Sequence, residues 1–208
     1  MAFGLITQQR SSGDFADIVK YDANAGRLFR VDYDPALREK ESIDITSPPP
    51  RFAIDFGSLE IGFVHFSANG PDFLMVPEGS PPPKQPEDVD DKGRLKYQEA
   101  FRVKLFGRVL NGLREWSSAA RSVVDVVEHM YNDYRVAPEA REGKIPIVEL
   151  TKTVPINYGS RTVYAPHFTI VGWTARTSEF GRRTVPAPAA PKPPANGGVD
   201  ALEDEIPF

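Results

Sequence analysis

Residues 95–106 read Leu-Lys-Tyr-Gln-Glu-Ala-Phe-Arg-Val-Lys-Leu-Phe, and this run stands just before the one clear helical pattern of the chain. Phe101, Val103 and Leu105 alternate with other residues, so they share one face of a predicted β-strand. The opposite face carries two cations and one aromatic ring, the side chains that track phosphates and stack on bases. That face consists of Arg102, Lys104 and Phe106.

Residues 115–134 follow with the period of an amphipathic helix. Their apolar residues recur at alternating steps of three and four, which predicts one stripe facing the core. Ser117 or Ser118 is placed to cap the start of this helix, and Pro138 ends the region. The stripe consists of Trp116, Ala120, Val123, Val127, Met130 and Tyr134.

Shorter alternating or apolar runs predict strands on both sides of the helix. The first two runs form a hairpin, because Asn24 and Gly26 suit the turn between them. Residues 34–50 are predicted to be a charged loop, residues 57–58 a turn, and the last run one strand or a pair. The strand runs cover residues 15–21, 27–33, 51–56, 59–66, 145–154 and 161–174.

Runs of strands with a single late helix predict a mainly β protein, because a parallel doubly wound sheet would need alternating helices. An OB barrel carries its helix between its third and fourth strands, so we expect an elaborated OB-fold barrel of up to seven strands. This domain would cover residues 1–184, with a flexible, acidic, proline-rich loop at 77–92. Residues 185–199 form a Pro/Gly-rich linker within a disordered C-terminal tail, and residues 200–208 an acidic tip.

The composition excludes several classes of protein. The 208 residues contain no cysteine, which rules out disulfides and thiol catalysis and is typical of the cytoplasm. No apolar run approaches the ~20 residues that span a membrane, and no basic-apolar signal opens the chain. The net charge is −4, of which residues 185–208 contribute −3 and residues 78–92 another −3, so the rest of the chain is slightly basic. Charge distribution, not net charge, therefore decides whether a nucleic-acid groove exists.

Catalytic signatures are missing from the sequence. No nucleophile elbow, phosphate-binding glycine loop or dinucleotide fingerprint occurs, so we expect a non-enzymatic protein without a cofactor or metal. His129 has Asp125 and Asp133 one turn away on a helix, but charged helix faces are usually solvated. A nuclease site built from strand carboxylates such as Asp55 and Glu149 remains an alternative.

The chain ends with an acidic tip, residues 200–208, whose last residues are Asp204-Glu205-Ile206-Pro207-Phe208. This tip resembles that of bacterial single-stranded-DNA-binding proteins, which typically ends in aspartates followed by Ile-Pro-Phe; Glu205 departs from the pattern but keeps the charge. The resemblance implies a tip that recruits replication, recombination and repair enzymes and competes with DNA for the protein's own groove. Carboxylates suit a basic pocket, and apolar ends suit apolar pockets. The contact residues would be Asp200, Glu203, Asp204, Glu205, Ile206, Pro207 and Phe208.

The leading hypothesis is a single-stranded-DNA-binding protein of the divergent phage or prophage type, acting in the cytoplasm of a bacterium or a phage-infected host. Its partners would be single-stranded DNA and the enzymes that read the tip, without a membrane, and it could form a homo-oligomer. The alternative is a replication or recombination adaptor that carries the tip without binding DNA. Phe29 and Trp173 are the DNA candidates most expected to be buried. The candidate DNA-binding residues are Tyr21, Arg27, Phe29, Arg30, Arg102, Lys104, Phe106, Tyr158, Arg161, Tyr164 and Trp173.

Overall fold

The computed structural model describes residues 17–34, 39–68 and 70–181. The predicted linker at 185–199 and the tip at 200–208 lie outside the described residues. The described part contains nine strands, one long helix, one short helix and a 3-10 turn at its end. These are β1 (Ile18–Asp22), β2 (Arg27–Asp34), β3 (Glu39–Asp44), β4 (Arg51–Ser67), β5 (Gly70–Pro77), β6 (Gln98–Gly107), β7 (Gly112–Ser118), α1 (Arg121–Val136), α2 (Pro138–Arg141), β8 (Lys144–Tyr158), β9 (Arg161–Ala175) and the turn Ser178–Gly181.

One sheet contains all nine strands, and β4 is its centre. The strands follow the order β3-β2-β1-β7-β6-β4-β8-β9, and β5 pairs with the far half of β4. The subset β7-β6-β4-β8-β9, with α1 between β7 and β8, has the strand order and helix position of an OB fold. The prediction of a mainly β, OB-like fold with one main helix is therefore confirmed.

The N-terminal meander β1–β2–β3 extends this OB-like core. β1 pairs in parallel with β7 at Ile18 and Val19, and antiparallel with β2. At the other end of the sheet, the Tyr164 N–H of β9 donates a hydrogen bond of 2.7 Å to the Ala23 carbonyl in the β1–β2 turn. The sheet therefore curls until its last strand touches the turn of its first hairpin.

The hydrophobic core lies inside this curl, beneath α1. Trp116 of β7 is fully buried and makes edge-on contacts with Phe101, at 5.1 Å between ring centroids, and with Phe168, at 5.7 Å. Val123 and Val127 of α1 pack into the same cluster. Burying each such side chain stabilises the fold by roughly 1.5–3 kcal/mol, so the apolar stripe holds α1 against the sheet.

A buried arginine joins the meander to the OB-like core. Arg114 of β7 is only 2% exposed. Its guanidinium donates hydrogen bonds to the Leu110 carbonyl at 2.6 Å and the Val31 carbonyl at 3.0 Å, and pairs with the Asp32 carboxylate at 2.7 Å. Asp17, just before β1, pairs with it at 3.3 Å. One side chain of β7 thus holds β2 and the start of β1 in place.

The helix prediction was right in type and wrong in its start. α1 begins at Arg121, and residues 112–118 form β7, so Trp116 is a strand residue. Trp116 and Ala120 are four apart, a spacing that fits both the helical and the strand period, which explains the error. The N-cap is Ala120 without a side-chain cap; the Ser118 hydroxyl accepts a hydrogen bond from the Ala120 N–H instead.

Besides β7, two further strands were missed, and one predicted turn was wrong. β3, predicted as loop, is almost entirely polar and exposed, and pairing with β2 defines it rather than an apolar pattern. β5 was not predicted. Residues 57–58 do not turn, since β4 continues through them with a bulge between Asp55 and Glu60. Residues 161–174 belong to one strand, β9.

The proline-rich segment after β5 forms no helix or ladder strand but is anchored to the body. Gln85 donates a side-chain hydrogen bond of 2.9 Å to the Tyr97 carbonyl, and the Tyr131 hydroxyl of α1 donates one to the Glu78 carboxylate. Val89 and Leu95 form an isolated bridge. Glu78 is therefore held beside α1, and Gln85 fixes the middle of the segment beside the start of β6.

Candidate nucleic-acid interface

A cleft of about 480 Å³ lies where the β1–β2 turn, the first turn of α1 and the start of β9 meet. It forms because the parallel pairing of β1 with β7 brings the end of β1 beside the start of α1, and β9 closes over the β1–β2 turn. Its lining contains three cations and one carboxylate. The lining residues are Lys20, Tyr21, Asp22, Ala23, Asn24, Ala120, Arg121, Ser122, Arg161 and Val163.

The cations of the cleft differ in how far they are neutralised. Lys20 is exposed and makes no ion pair within the described part of the chain. Arg161 donates one hydrogen bond, at 2.7 Å, to the Asn24 side chain, which leaves most of its five donors free. Arg121 pairs with both Glu99, at 3.1 Å, and Asp125, at 2.9 Å. Lys20 and Arg161 are therefore the cations most available to a ligand.

The carboxylate of the cleft is occupied by its own turn. Asp22 Oδ1 accepts hydrogen bonds from the Asn24 N–H at 2.9 Å and the Ala25 N–H at 3.2 Å. Such a local hydrogen-bonded turn fixes the side chain against the backbone. Asp22 therefore stabilises the hairpin that forms one wall of the cleft.

The outer face of the meander continues from this cleft. The register places Lys20 opposite Phe29, and Phe29 opposite Asp44, so these three share one face. Arg27 lies on the same face and pairs with Asp44 at 2.5 Å. Hydrogen bonds from Thr46, together with the Arg27 guanidinium, lower the pKa of Asp44 to about 2. The partly exposed Phe29 thus lies between Lys20 and Asp44 across the strands, and Arg27, two residues away on β2, is neutralised by Asp44.

A second cleft, of about 580 Å³, lies between Arg30 of β2, the segment that follows β3 and the β6–β7 turn. It contains Arg30, which pairs with Asp32 at 3.1 Å and donates to the Val109 carbonyl at 3.3 Å. Arg108, on the β6–β7 turn, is exposed and has no ion pair within the described residues. Arg30 is therefore a framework residue of this cleft, not a free cation.

Tyr21 was predicted to contact DNA but lies buried at the base of the first cleft. Its hydroxyl donates a hydrogen bond of 3.1 Å to the Tyr164 carbonyl. Burial, with the negative charge of Asp22, raises the pKa of Tyr21 to about 12. The side chain of Tyr164 packs against Gly26, where an added Cβ would lie 3.0 Å from Tyr164 Cβ and the φ of +65° favours glycine. Both tyrosines therefore hold β9 against the first hairpin.

The predicted outward face of β6 exists, but its side chains have partners inside the protein. Arg102 pairs with Glu60 and lies over the Phe73 ring, 5.1 Å from its centroid. Lys104 Nζ donates to the Phe180 carbonyl at 3.1 Å, and Phe106 meets the Phe180 ring edge-on at 5.9 Å. The turn at 178–181 folds back over this face, so the prediction of three DNA-contacting side chains on β6 loses its support.

The remaining predicted residues lie apart from the first cleft or at its rim. Trp173 is half-buried and stacks on Tyr134 of α1, with 6.2 Å between ring centroids. Tyr158 ends β8, opposite Arg161 across the hairpin. Phe29 and Trp173, expected to be the most buried of the candidates, are both partly buried, whereas Tyr21 is the candidate that lies in the core.

The cleft contains three residues that the sequence interpretation missed: Lys20, Arg121 and Ser122. The sequence did contain an indication for Lys20, because the predicted hairpin places Lys20 on the same strand face as the candidate Phe29. No such signal existed for Arg121 and Ser122. They enter the cleft only because β7 runs parallel to β1.

The described residues form no metal site and no membrane-spanning helix. Among residues 17–34, 39–68 and 70–181, no group of three or more His, Asp or Glu side chains could hold a metal ion. In the same part of the chain, none of the helices has the length and apolarity needed to cross a membrane. Comparison with protein-family models, curated proteins and solved structures found no match to this chain.

Proposed function

We propose that the protein binds single-stranded DNA through the first cleft and the outer face of the meander, without catalysing a reaction. The observation that carries the proposal is that Lys20 and Arg161 line one cleft without a carboxylate partner among the described residues, with the partly exposed Phe29 ring opposite Lys20 on the meander. Cations along a groove hold backbone phosphates, and each base stacked on an aromatic ring contributes about 1–3 kcal/mol. The OB-like core supports the proposal, because this architecture often binds oligonucleotides.

The second half of the proposal concerns the acidic tip at 200–208. Its support is the sequence resemblance of Asp204-Glu205-Ile206-Pro207-Phe208 to the tips of bacterial single-stranded-DNA-binding proteins. The tip would recruit enzymes of replication, recombination or repair to the DNA that the body holds. The two functions are separable, because the residues that carry them lie in different segments of the chain.

Fluorescence anisotropy of labelled oligo-dT tests the DNA half. The full chain should bind. Its affinity should fall as the salt concentration rises, because binding releases counterions from the DNA and this release is less favourable at high salt. Phe29→Ala should weaken binding roughly tenfold or more through the lost stacking. Phe66→Ala is the matched control, because Phe66 is 59% exposed and lies on the separate β4–β5 hairpin. Equal effects of the two variants would contradict the proposed surface.

An adaptor that carries the tip without binding DNA is the second candidate. The observation that favours it is the β6 face, where Arg102 and Lys104 serve internal contacts rather than facing a ligand. Oligo-dT that fails to bind the full chain at low salt would favour the adaptor. The full chain could also fail to bind because its own tip occupies the groove. A chain truncated after Arg183 separates the two cases, because truncation should raise the affinity for oligo-dT only if the tip had blocked the groove.

A further inference from the structure

The first turn of α1 has unpaired donors that face the first cleft. α1 has 16 residues, and its N-cap, Ala120, offers no side-chain acceptor; the first turn contains no acidic residue. The N–H groups of Arg121 and Ser122 donate no hydrogen bond within the described part of the chain. Helix N-termini carry a positive partial charge and bind anions such as phosphate through these N–H groups.

An unpartnered hydroxyl on a largely buried residue gives a second, independent indication of a ligand at this place. Ser122 is only 7% exposed and lines the cleft, and its hydroxyl has no hydrogen-bond partner among the described residues. The oxygen is not one of the fully buried side-chain atoms that lack a partner, so it can be reached from outside. A ligand that enters the cleft can therefore accept a hydrogen bond from it.

The charges around this turn select the ligand. Lys20 and Arg161 line the same cleft without a carboxylate partner among the described residues, while the Asp22 carboxylate accepts hydrogen bonds from its own turn. Arg161 has further donors in the planar arrangement that suits phosphate oxygens. Hydroxyl, amide, ammonium and guanidinium donors thus line one cleft, and phosphate is an anion that accepts hydrogen bonds from all four.

We infer that this cleft binds a single phosphate group, held by the Arg121 and Ser122 N–H groups, the Ser122 hydroxyl, Lys20 and Arg161. The inference rests on the proposed function for the source of the phosphate, a DNA strand. The group is either an internal phosphodiester of the strand or its terminal phosphate. The site would fix the position of the strand beside Phe29, which lies opposite Lys20.

Chemical-shift titration of the 15N-labelled full chain with inorganic phosphate tests the site, with sodium chloride at equal ionic strength as reference. We expect the amide resonances of Arg121 and Ser122 to shift saturably when phosphate is added, and not when sodium chloride is added. Ser122→Ala should weaken phosphate binding about tenfold, because one hydrogen bond to a charged group is lost. Alanine is a good helix former, so the helix should persist. Ser178→Ala, on the exposed terminal turn, is the matched control.

The charged partners are tested in parallel. Lys20→Gln and Arg161→Gln should each weaken phosphate binding severalfold, whereas Arg141→Gln, an exposed arginine of α2 without an ion pair among the described residues, should not. Equal shifts with phosphate and chloride, or equal effects of the control variants, would overturn the inference.

Two oligonucleotides distinguish the sources of the phosphate. If 5′-phosphorylated oligo-dT binds more tightly than the 5′-hydroxyl form, and Ser122→Ala removes this difference, the site binds the terminal phosphate. If the two oligonucleotides bind with equal affinity, and Ser122→Ala weakens the binding of both, the site binds an internal phosphodiester. Oligo-dT binding that ignores Ser122→Ala and Lys20→Gln overturns the inference and leaves the proposed function standing. Absence of both phosphate and oligo-dT binding rejects the two together.

Discussion

Replacing Arg114 by methionine should destabilise the protein strongly, because the guanidinium joins three elements from a site that is 2% exposed. Methionine fills similar volume but leaves the Leu110 and Val31 carbonyls without their donor and Asp32 without one of its two cations. The contact with Asp32 Oδ1 is an ion pair rather than an aligned hydrogen bond, since that oxygen has no partner of hydrogen-bonding geometry.

The expected cost follows from these contacts. Removing one partner of a buried ion pair typically costs roughly 3–5 kcal/mol, because a charge and its polar neighbours stay behind. The Asp32 side chain is 29% exposed, so water partly compensates it and the lower end, about 3 kcal/mol, applies. At about 2–4 °C per kcal/mol for a domain of this size, Tm should fall by roughly 6–12 °C.

Urea unfolding followed by tryptophan fluorescence, to which the buried Trp116 contributes, measures this cost. Arg141→Met is the matched control, and it should change the free energy of unfolding by less than about 0.5 kcal/mol. Adding Asp32→Asn to Arg114→Met should recover part of the loss, because it removes the stranded carboxylate. A cost below about 1 kcal/mol for Arg114→Met, or no recovery in the double variant, would refute the reasoning.

The same variant connects stability to the proposed interface. β1 pairs with β7 through only two residue pairs, so Arg114 is a principal attachment of the meander that carries Lys20 and Phe29. Arg114→Met should therefore weaken oligo-dT binding even at temperatures well below its Tm.

Three further predictions follow from particular residues. Gly62→Ala should cost at least about 2 kcal/mol in urea unfolding, because φ is +154° and a Cβ would lie 2.1 Å from the Leu74 carbonyl oxygen; Gly79→Ala, with open space around it, should cost less. The pKa of Asp44, lowered from 3.8 to about 2, gives stability that is present above pH 4 and lost as pH falls towards 2. Asp44→Asn should therefore lower stability at pH 6 and flatten its pH dependence between about 4 and 2. Deleting residues 200–208 should tighten oligo-dT binding at low salt and leave it unchanged at high salt, where charges are screened.

Each of these has an outcome that contradicts it. Equal costs for the two glycine variants would mean that the close approach of β5 to β4 is not what excludes a side chain. An acid-unfolding profile unchanged by Asp44→Asn would remove the assigned role of its carboxylate. Anisotropy that shows no gain on deletion of the tip would argue against competition between the tip and the DNA.

The sequence alone determined the class of fold, because alternation and a single amphipathic helix are local properties. The sequence predicted β1, β2, β8 and the one main helix, and it predicted the shared face of Arg27 and Phe29. Local patterns failed where pairing rather than hydrophobicity defines a strand, as in β3, and where Trp116 fits two periods at once.

Only the tertiary structure decided which candidate side chains are available to a ligand. Arg102, Lys104 and Phe106 have the right chemistry, but Glu60 and the turn at 178–181 occupy them. Three segments far apart in sequence line the cleft. They come together because β1 pairs in parallel with β7 and because β9 contacts the β1–β2 turn. A residue's own sequence neighbours fix its local conformation, but its partners across the sheet fix whether its charge is neutralised or free.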